Sequence, residues 1–371
     1  MTMDRADRVE LAEAVREASS VGPREFMSES GNPSRDARLW KLLVDQLGVV
    51  GLLAPEEIGG AGAGIAEVAV VLEELAGSLA AVPALTSMGI ASVVLRLADT
   101  PAATALLSEL AIGEKTATVC WPSPTGVDVT PVVDAGGSKG GSVSGQTNFV
   151  LDGGTSDVFL VPVVIDGRTA LVAVETDDAV KTAQHSLDLT REMTSVEFRD
   201  APARIVTGSI DLGVALNLAL VLVAAEQIGI AQRCHAEAVS WAKGRVQFDR
   251  PIGQFQAIKH ALVDLLMSVE LARSSLDVAI DAADSYLTDP GEGAAAALGV
   301  AASAAKARCA DSAMLVADES LHILGGIGFT WEHDAHLYFR RAKTLELLFG
   351  SPASHRARFG THLLKGATVV G

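Results

Sequence analysis

Apolar positions recur at intervals of three and four residues over the two ends of the chain and give way to short β-branched runs in its middle. From residue 4 to about 115 the period is helical, as in the segments 37–44 and 66–75. Between these segments, 55–62 (Pro-Glu-Glu-Ile-Gly-Gly-Ala-Gly) breaks the pattern and predicts a loop joining two helices. From Thr116 to about Gly208 the runs shorten and turn residues punctuate them. The run 158–165 is followed by Asp166-Gly167 and then by 168–174, which predicts a hairpin, because a type I′ turn needs positive φ at both central residues. From Asp211 onward the helical period returns and predicts three long helices near 212–243, 256–287 and 292–323, with a last helix after Asp334. In the second of these, Leu262, Leu265, Leu266, Val269, Leu276 and Ile280 form one apolar face, while Asp264, Ser268, Arg273, Asp277 and Asp281 turn away from it. The expected fold class is α+β, with an N-terminal all-α domain (1–115), a middle antiparallel β domain (116–210) and a C-terminal four-helix bundle (211–371).

Composition sharpens this outline. A length of 371 residues allows two or three globular units at about 150 residues each. Hydrophobic residues make up 49% of the chain but aromatics only 4%, so its core must come from close packing of small and branched side chains. Lys and Arg number 29 against 46 Asp and Glu, a net charge of −17, which repels nucleic-acid backbones and anionic lipid surfaces. Neither nucleic acid nor membrane is expected as a partner. Cys120, Cys234 and Cys309 lie far apart with no CxxC pair, and they read as buried small residues in a reducing, cytoplasmic setting. The first eighteen residues mix charges with apolar positions and read as a helix rather than a secretory signal. The longest apolar stretch, 213–225, contains Asn217 and stops at Glu226, so it is expected to be a buried helix.

Several segments carry candidate chemistry. The glycine cluster at 59–64 lacks the Gly-Lys-Ser/Thr of a P-loop and the spacing of a dinucleotide fingerprint, so it reads as an interhelical loop. The stretch 244–256 ends one long helix and opens the next, and it offers a guanidinium (Arg245), an apolar platform (Phe248) and an amide (Gln256). Such groups could hold the diphosphate and adenosine half of a dinucleotide, although a solvated helix break explains them as well. At 321–334, Gly325, Gly326 and Gly328 follow a helix and allow close approach to a ligand, with His322 as the nearest polar group; a glycine cap accounts for the same pattern. His333, Asp334 and His336 form only a weak metal pattern, and no metal is expected.

Taken together, Arg245-x-x-Phe248-x-x-Pro251-Ile252-x-x-Phe255-Gln256, the later Gly325-Gly326-Ile327-Gly328-Phe329-Thr330-Trp331-Glu332-His333-Asp334 and then Arg340-Arg341-Ala342-Lys343 resemble the C-terminal half of the acyl-CoA dehydrogenases. The segments 51–60 and 144–153 resemble that family's early loop and β-domain strand, so the resemblance covers nearly the whole chain and matches the order of units read from periodicity. It implies an acyl-CoA dehydrogenase-like fold and an FAD shared at a subunit interface. The ADP side of that FAD would meet Arg245, Phe248, Gln256, Gly325 and Gly326, with His322 where the family usually has a glutamine.

Departures from the family fall on the flavin-ring side. Trp121-Pro122-Ser123-Pro124 replaces the usual Thr-Glu-Pro loop, and Phe149-Val150-Leu151 replaces Trp-Ile-Thr. The usual catalytic Glu position is occupied by Phe349, in Leu347-Leu348-Phe349-Gly350-Ser351, and the minority position falls near Ala219. Glu346 is the nearest acid and a weak alternative base. The resemblance is closest to the base-lacking subunit of heteromeric acyl-CoA dehydrogenases of steroid side-chain degradation. These assemblies pair two copies each of two homologous chains, so a homologous catalytic subunit is the expected partner and would hold the acyl-CoA. Two other readings stay open: a self-sufficient homotetramer with an unusual base, and a flavin-free binding protein.

Overall fold

A computed structural model describes residues 3–28, 33–122, 133–135 and 141–367. The N-terminal helices are α1 (Arg5–Ala18), α2 (Ala37–Asp45), α3 (Ile65–Gly77), α4 (Ser92–Ala98) and α5 (Pro101–Ala111), with a π-helix, Ala84–Ala91, running into α4. The strands are β1 (Ala117–Val119), β2 (Val133–Ala135), β3 (Ser142–Leu151), β4 (Val158–Ile165), β5 (Arg168–Glu175), β6 (Ala179–Ala183), β7 (Met193–Pro202) and β8 (Arg204–Thr207). The C-terminal helices are α6 (Leu212–Gly244), α7 (Gln256–Thr288), α8 (Glu292–Leu324), α9 (Ala335–Leu347) and α10 (Pro352–Ala367). A small hairpin, β9 (Val246–Gln247) and β10 (Arg250–Pro251), joins α6 to α7.

The Asp166-Gly167 turn joins β4 to β5 with φ of 49° and 75°, as the dipeptide predicts. The sheet is nevertheless mixed rather than purely antiparallel. It runs β6-β7-β3-β2-β4-β5-β8, with β1 and β2 both parallel to β4, while the remaining pairs are antiparallel. Alternation along β4 sends Val158 and Leu160 into the core shared with the helices, and Phe159, Val161 and Val163 into a second core within the β region.

Asp211 starts α6 by accepting the N–H groups of Gly213 and Val214. The helix is long and apolar enough to span a membrane, but its apolar window is wholly buried inside the protein. It packs against α3 where Gly229 faces Glu73: a Cβ on Gly229 would stand 2.1 Å from the Glu73 carbonyl oxygen. Small residues thus do the work that large rings would do elsewhere.

Two further expectations are corrected. On α7, Leu266 is 43% exposed and Ser268 is buried, its hydroxyl donating to Ser312 Oγ at 3.1 Å. Burying the serine becomes cheap once α8 supplies an acceptor. The last predicted helix is two helices, because Phe349 and Gly350 adopt φ of 58° and 108° and turn the chain between α9 and α10.

Candidate active site and cofactor surface

The three tracts meet at a small cavity of about 10 Å³. The π-helix contributes Thr86 and Ile90, β1 contributes Thr118, β3 contributes Phe149 and Leu151, and the turn after α9 contributes Leu348 and Phe349. Phe349 is 1% exposed and meets Trp121 edge-on, with ring centroids 5.2 Å apart. The hydroxyls in the wall are already committed: Thr86 donates to Asp152 Oδ2 at 2.6 Å, and Thr118 donates to the Leu151 carbonyl at 2.8 Å. No carboxylate lines the cavity among the described residues. Space for about one water remains.

The weak alternative base points elsewhere. The Glu346 carboxylate pairs with Lys343, and its main-chain carbonyl accepts from Lys306 at 3.1 Å. Ala219 lies buried within α6. Of the two ring-side departures, Phe149 and Leu151 line the cavity while Val150 packs into the second core; Ser123 and Pro124 lie outside the described residues.

Beside the cavity lies a set of buried charges that periodicity could not single out. Arg191 makes a two-pronged bond to Glu226 at 2.9 and 2.7 Å, tying the segment before β7 to α6. Arg341 of α9 donates to Asp188 and, at 2.6 Å, to Thr190 Oγ1. Glu226 beside it holds the Arg191 guanidinium proton more firmly than usual, against the cost of burial, while burial pushes the Asp152 carboxyl up. The sequence signal was the lone Glu226 that closes the longest apolar stretch.

At one end of the bundle the candidate ADP-side residues come together in the fold. The helices α6 and α8 both finish there, with the Ser320 hydroxyl donating to the Cys234 carbonyl at 3.1 Å. Arg245 caps α6, its guanidinium 6.0 Å from the Trp241 ring and in no ion pair among the described residues. Phe248 is 86% exposed at the tip of the β9-β10 hairpin. Gln256 opens α7 and is exposed. Across from them, His322 ends α8 with Nδ1 3.0 Å from the Asp318 carbonyl, and Gly325 turns the chain with φ of 70°. A Cβ on Gly325 or Gly326 would meet nothing within 4 Å, so both present bare backbone. A free guanidinium, an exposed ring, an amide and open backbone suit a diphosphate and nucleoside. The ADP half of an FAD fits these residues, and the filled cavity does not fit its ring.

The weak metal pattern does not converge. His336 meets Trp331 edge-on, His333 Nδ1 accepts the Ala335 N–H, and Asp334 pairs with Arg24. All three cysteines are free and buried, and burial pushes the Cys234 and Cys309 thiols up to about 12.

Comparison with known proteins matches residues 6–114 to the acyl-CoA dehydrogenase N-terminal domain and residues 212–364 to its C-terminal domain. The chain is 36% identical over 324 residues to acyl-CoA dehydrogenase IpdE2 of Mycolicibacterium smegmatis, covering 87% of each. Among solved structures, the ChsE4-ChsE5 complex from Mycobacterium tuberculosis is similar with a TM-score of 0.84 at 28% identity, over 98% of each chain. The Tcur3481-Tcur3483 steroid ACAD shares the fold with a TM-score of 0.84 at 24% identity, over 98% of this chain and 99% of that one.

Proposed function

The chain belongs to the acyl-CoA dehydrogenase family of oxidoreductases, and we propose that it acts as the subunit without a catalytic base in a two-chain, FAD-dependent enzyme. The family reaction removes the α-proton of an acyl-CoA thioester as hydride leaves the β-carbon, giving a 2-enoyl-CoA. FAD, when bound, supplies the hydride acceptor. Arg245 would hold its diphosphate, Phe248 and Gln256 its nucleoside side, and the Gly325-Gly326 backbone would let it approach closely, with His322 as a further donor.

One observation carries this reading. Phe349 fills the ring-side cavity of this chain with a buried phenyl ring, where proton removal needs a carboxylate. The Glu346 carboxylate is paired with Lys343, which weighs against a self-sufficient enzyme. An exposed stripe on α7, comprising Val263, Met267, Leu271 and Val278, supports a homologous partner on the bundle. The similar ChsE4-ChsE5 structure is itself a complex of two differently named chains. For the substrate we favour a steroid side-chain CoA thioester, a class in keeping with the steroid ACAD that shares the fold.

Co-expression with a homologous subunit, followed by flavin counting, tests the proposal. The expected result is a mixed complex with a single FAD for each pair of chains, and no flavin or acyl-CoA oxidation in this chain alone. Arg245→Ala should weaken flavin retention by a factor of about ten or more, the value of a charge-assisted bond to phosphate. A yellow, acyl-CoA-reducible protein obtained from this chain by itself would overturn the reading.

A further inference from the structure

The turn that carries Phe349 is held in an unusual way. Most orphan carbonyls at a helix C-terminus meet water or backbone N–H groups. Here Leu348 donates to the Thr344 carbonyl and Gly350 to the Leu347 carbonyl, as in an ordinary helix end. Four further carbonyls are taken by side chains from three other helices. Gln227 of α6 donates to Leu345 at 3.0 Å, and Lys306 of α8 donates to Glu346 at 3.1 Å and to Gly350 at 3.3 Å. His355 of α10 meets the Phe349 carbonyl through Nε2 at 2.9 Å. All three side chains are wholly buried. A carbonyl only accepts, so His355 must carry its proton on Nε2.

Lys306 has no carboxylate within ion-pair reach among the described residues. Its ammonium meets only carbonyl oxygens at the negative end of α9. For a buried lysine this is a costly arrangement, and packing alone would be served as well by a methionine. A group that expensive points to a positional role.

We infer that Gln227, Lys306 and His355 are positioning residues, a side-chain clamp on main-chain carbonyls that fixes the Phe349-Gly350 turn and so keeps the ring-side cavity closed. The inference rests on the reading of this chain as the subunit without a base, because it treats Phe349 as the group that fills the site. The clamp supplies the hydrogen bonds that let a phenylalanine keep a φ of 58° against its own β-carbon. It also sets where the phenyl ring meets Trp121.

The full chain labelled with 5-fluorotryptophan provides the test, with the Trp121 fluorine resonance assigned through Trp121→Phe. Phe349→Ala defines the resonance position when the ring is gone. Lys306→Met and His355→Leu should move or broaden the Trp121 line toward that position, whereas His355→Gln, whose amide can donate to the same carbonyl, should restore the native line. If the line stays at its native position in folded Lys306→Met and His355→Leu, the clamp does not set the turn and the inference falls. Should Lys306→Met fail to fold, the contrast between His355→Leu and His355→Gln decides, and equal lines in those two variants would overturn it. Flavin counting on the unlabelled wild-type chain separates the two claims. Flavin held by this chain alone sinks the proposed function, while the fluorine result stands or falls without it.

Discussion

His355 is a residue whose ionisation the fold opposes. Burial and the nearby Lys306 hold its imidazole down to about 4, against an ordinary value near 6.5, while the Phe349 carbonyl partly counteracts them. Arg358 on its own helix adds to the lowering. The unfolded chain therefore binds a proton more readily than the native one between these two values, and stability is lost as pH falls from 6.5 toward 4. The loss should be on the order of 3 kcal/mol, measured by urea unfolding at pH 7 and pH 4.5, and His355→Gln should flatten that slope. A wild-type slope unchanged by His355→Gln would assign the acid sensitivity to other groups. Lys306 is pushed down to about 7 by burial, with Cys309, Glu346 and Asp311 pulling the other way. Its cost is then relieved as pH rises above 7. Among the buried pairs, Arg191 and Glu226 are 8% and 3% exposed, so removing one partner strands the other. Glu226→Ala should cost about 3–5 kcal/mol in chemical unfolding, and a double replacement by apolar residues of similar volume should cost less.

At the scale of elements, the helix pairs depend on what is missing from their faces. The helices α3 and α6 approach so closely at Gly229 that a Cβ there would overlap the Glu73 main chain. Gly229→Ala should therefore destabilise the protein by about 1–3 kcal/mol through forced separation of the helices, even though alanine is the better helix former. Thermal unfolding checks the sign, and a stabilised variant would show that the contact is looser than described. The break between α9 and α10 belongs to this scale as well. Leu348 to Ser351 contain no proline, and a single glycine follows a phenylalanine, so nothing local demands a left-handed pair of residues at that point. Gln227 and Lys306, remote in sequence, and His355 of the next helix donate to the carbonyls around it.

The whole molecule carries a net charge of −17 and yet exposes an apolar stripe along α7. Strong like charge keeps copies apart, and the bare stripe is the surface we propose a partner covers. Leu271 is 56% exposed near the middle of the stripe, and Leu271→Glu should abolish co-purification with the homologous subunit while leaving the melting temperature of the isolated chain unchanged. Retention of the complex by that variant would place the interface elsewhere. The bundle end with Arg245, Phe248 and Gly325 carries the proposed flavin contacts, and Arg245→Ala should empty the flavin without splitting the chains.

Periodicity and turn chemistry determined which segments are helix and which are strand, because burial against any neighbour demands a period of 3.6 or 2 whatever that neighbour is. That is why α6, α7 and α8 begin and end within a residue or two of where the pattern places them, and why Asp166-Gly167 turns a hairpin. The residues we propose for the ADP side share one local signal: Arg245, Phe248 and Gln256 sit close together in the sequence at a helix break. The parallel pairing of β1 and β2 with β4, the buried Ser268, the Arg191-Glu226 pair and the carbonyl clamp were not legible. Apart from the His355–Phe349 contact, each joins residues tens of positions apart or more, and a polar residue becomes cheap to bury only once the fold brings it a partner. The sequence by itself set the elements and the identity of the residue at position 349, and only the tertiary structure decided that its ring would be buried, turned against its own backbone preference and packed on Trp121.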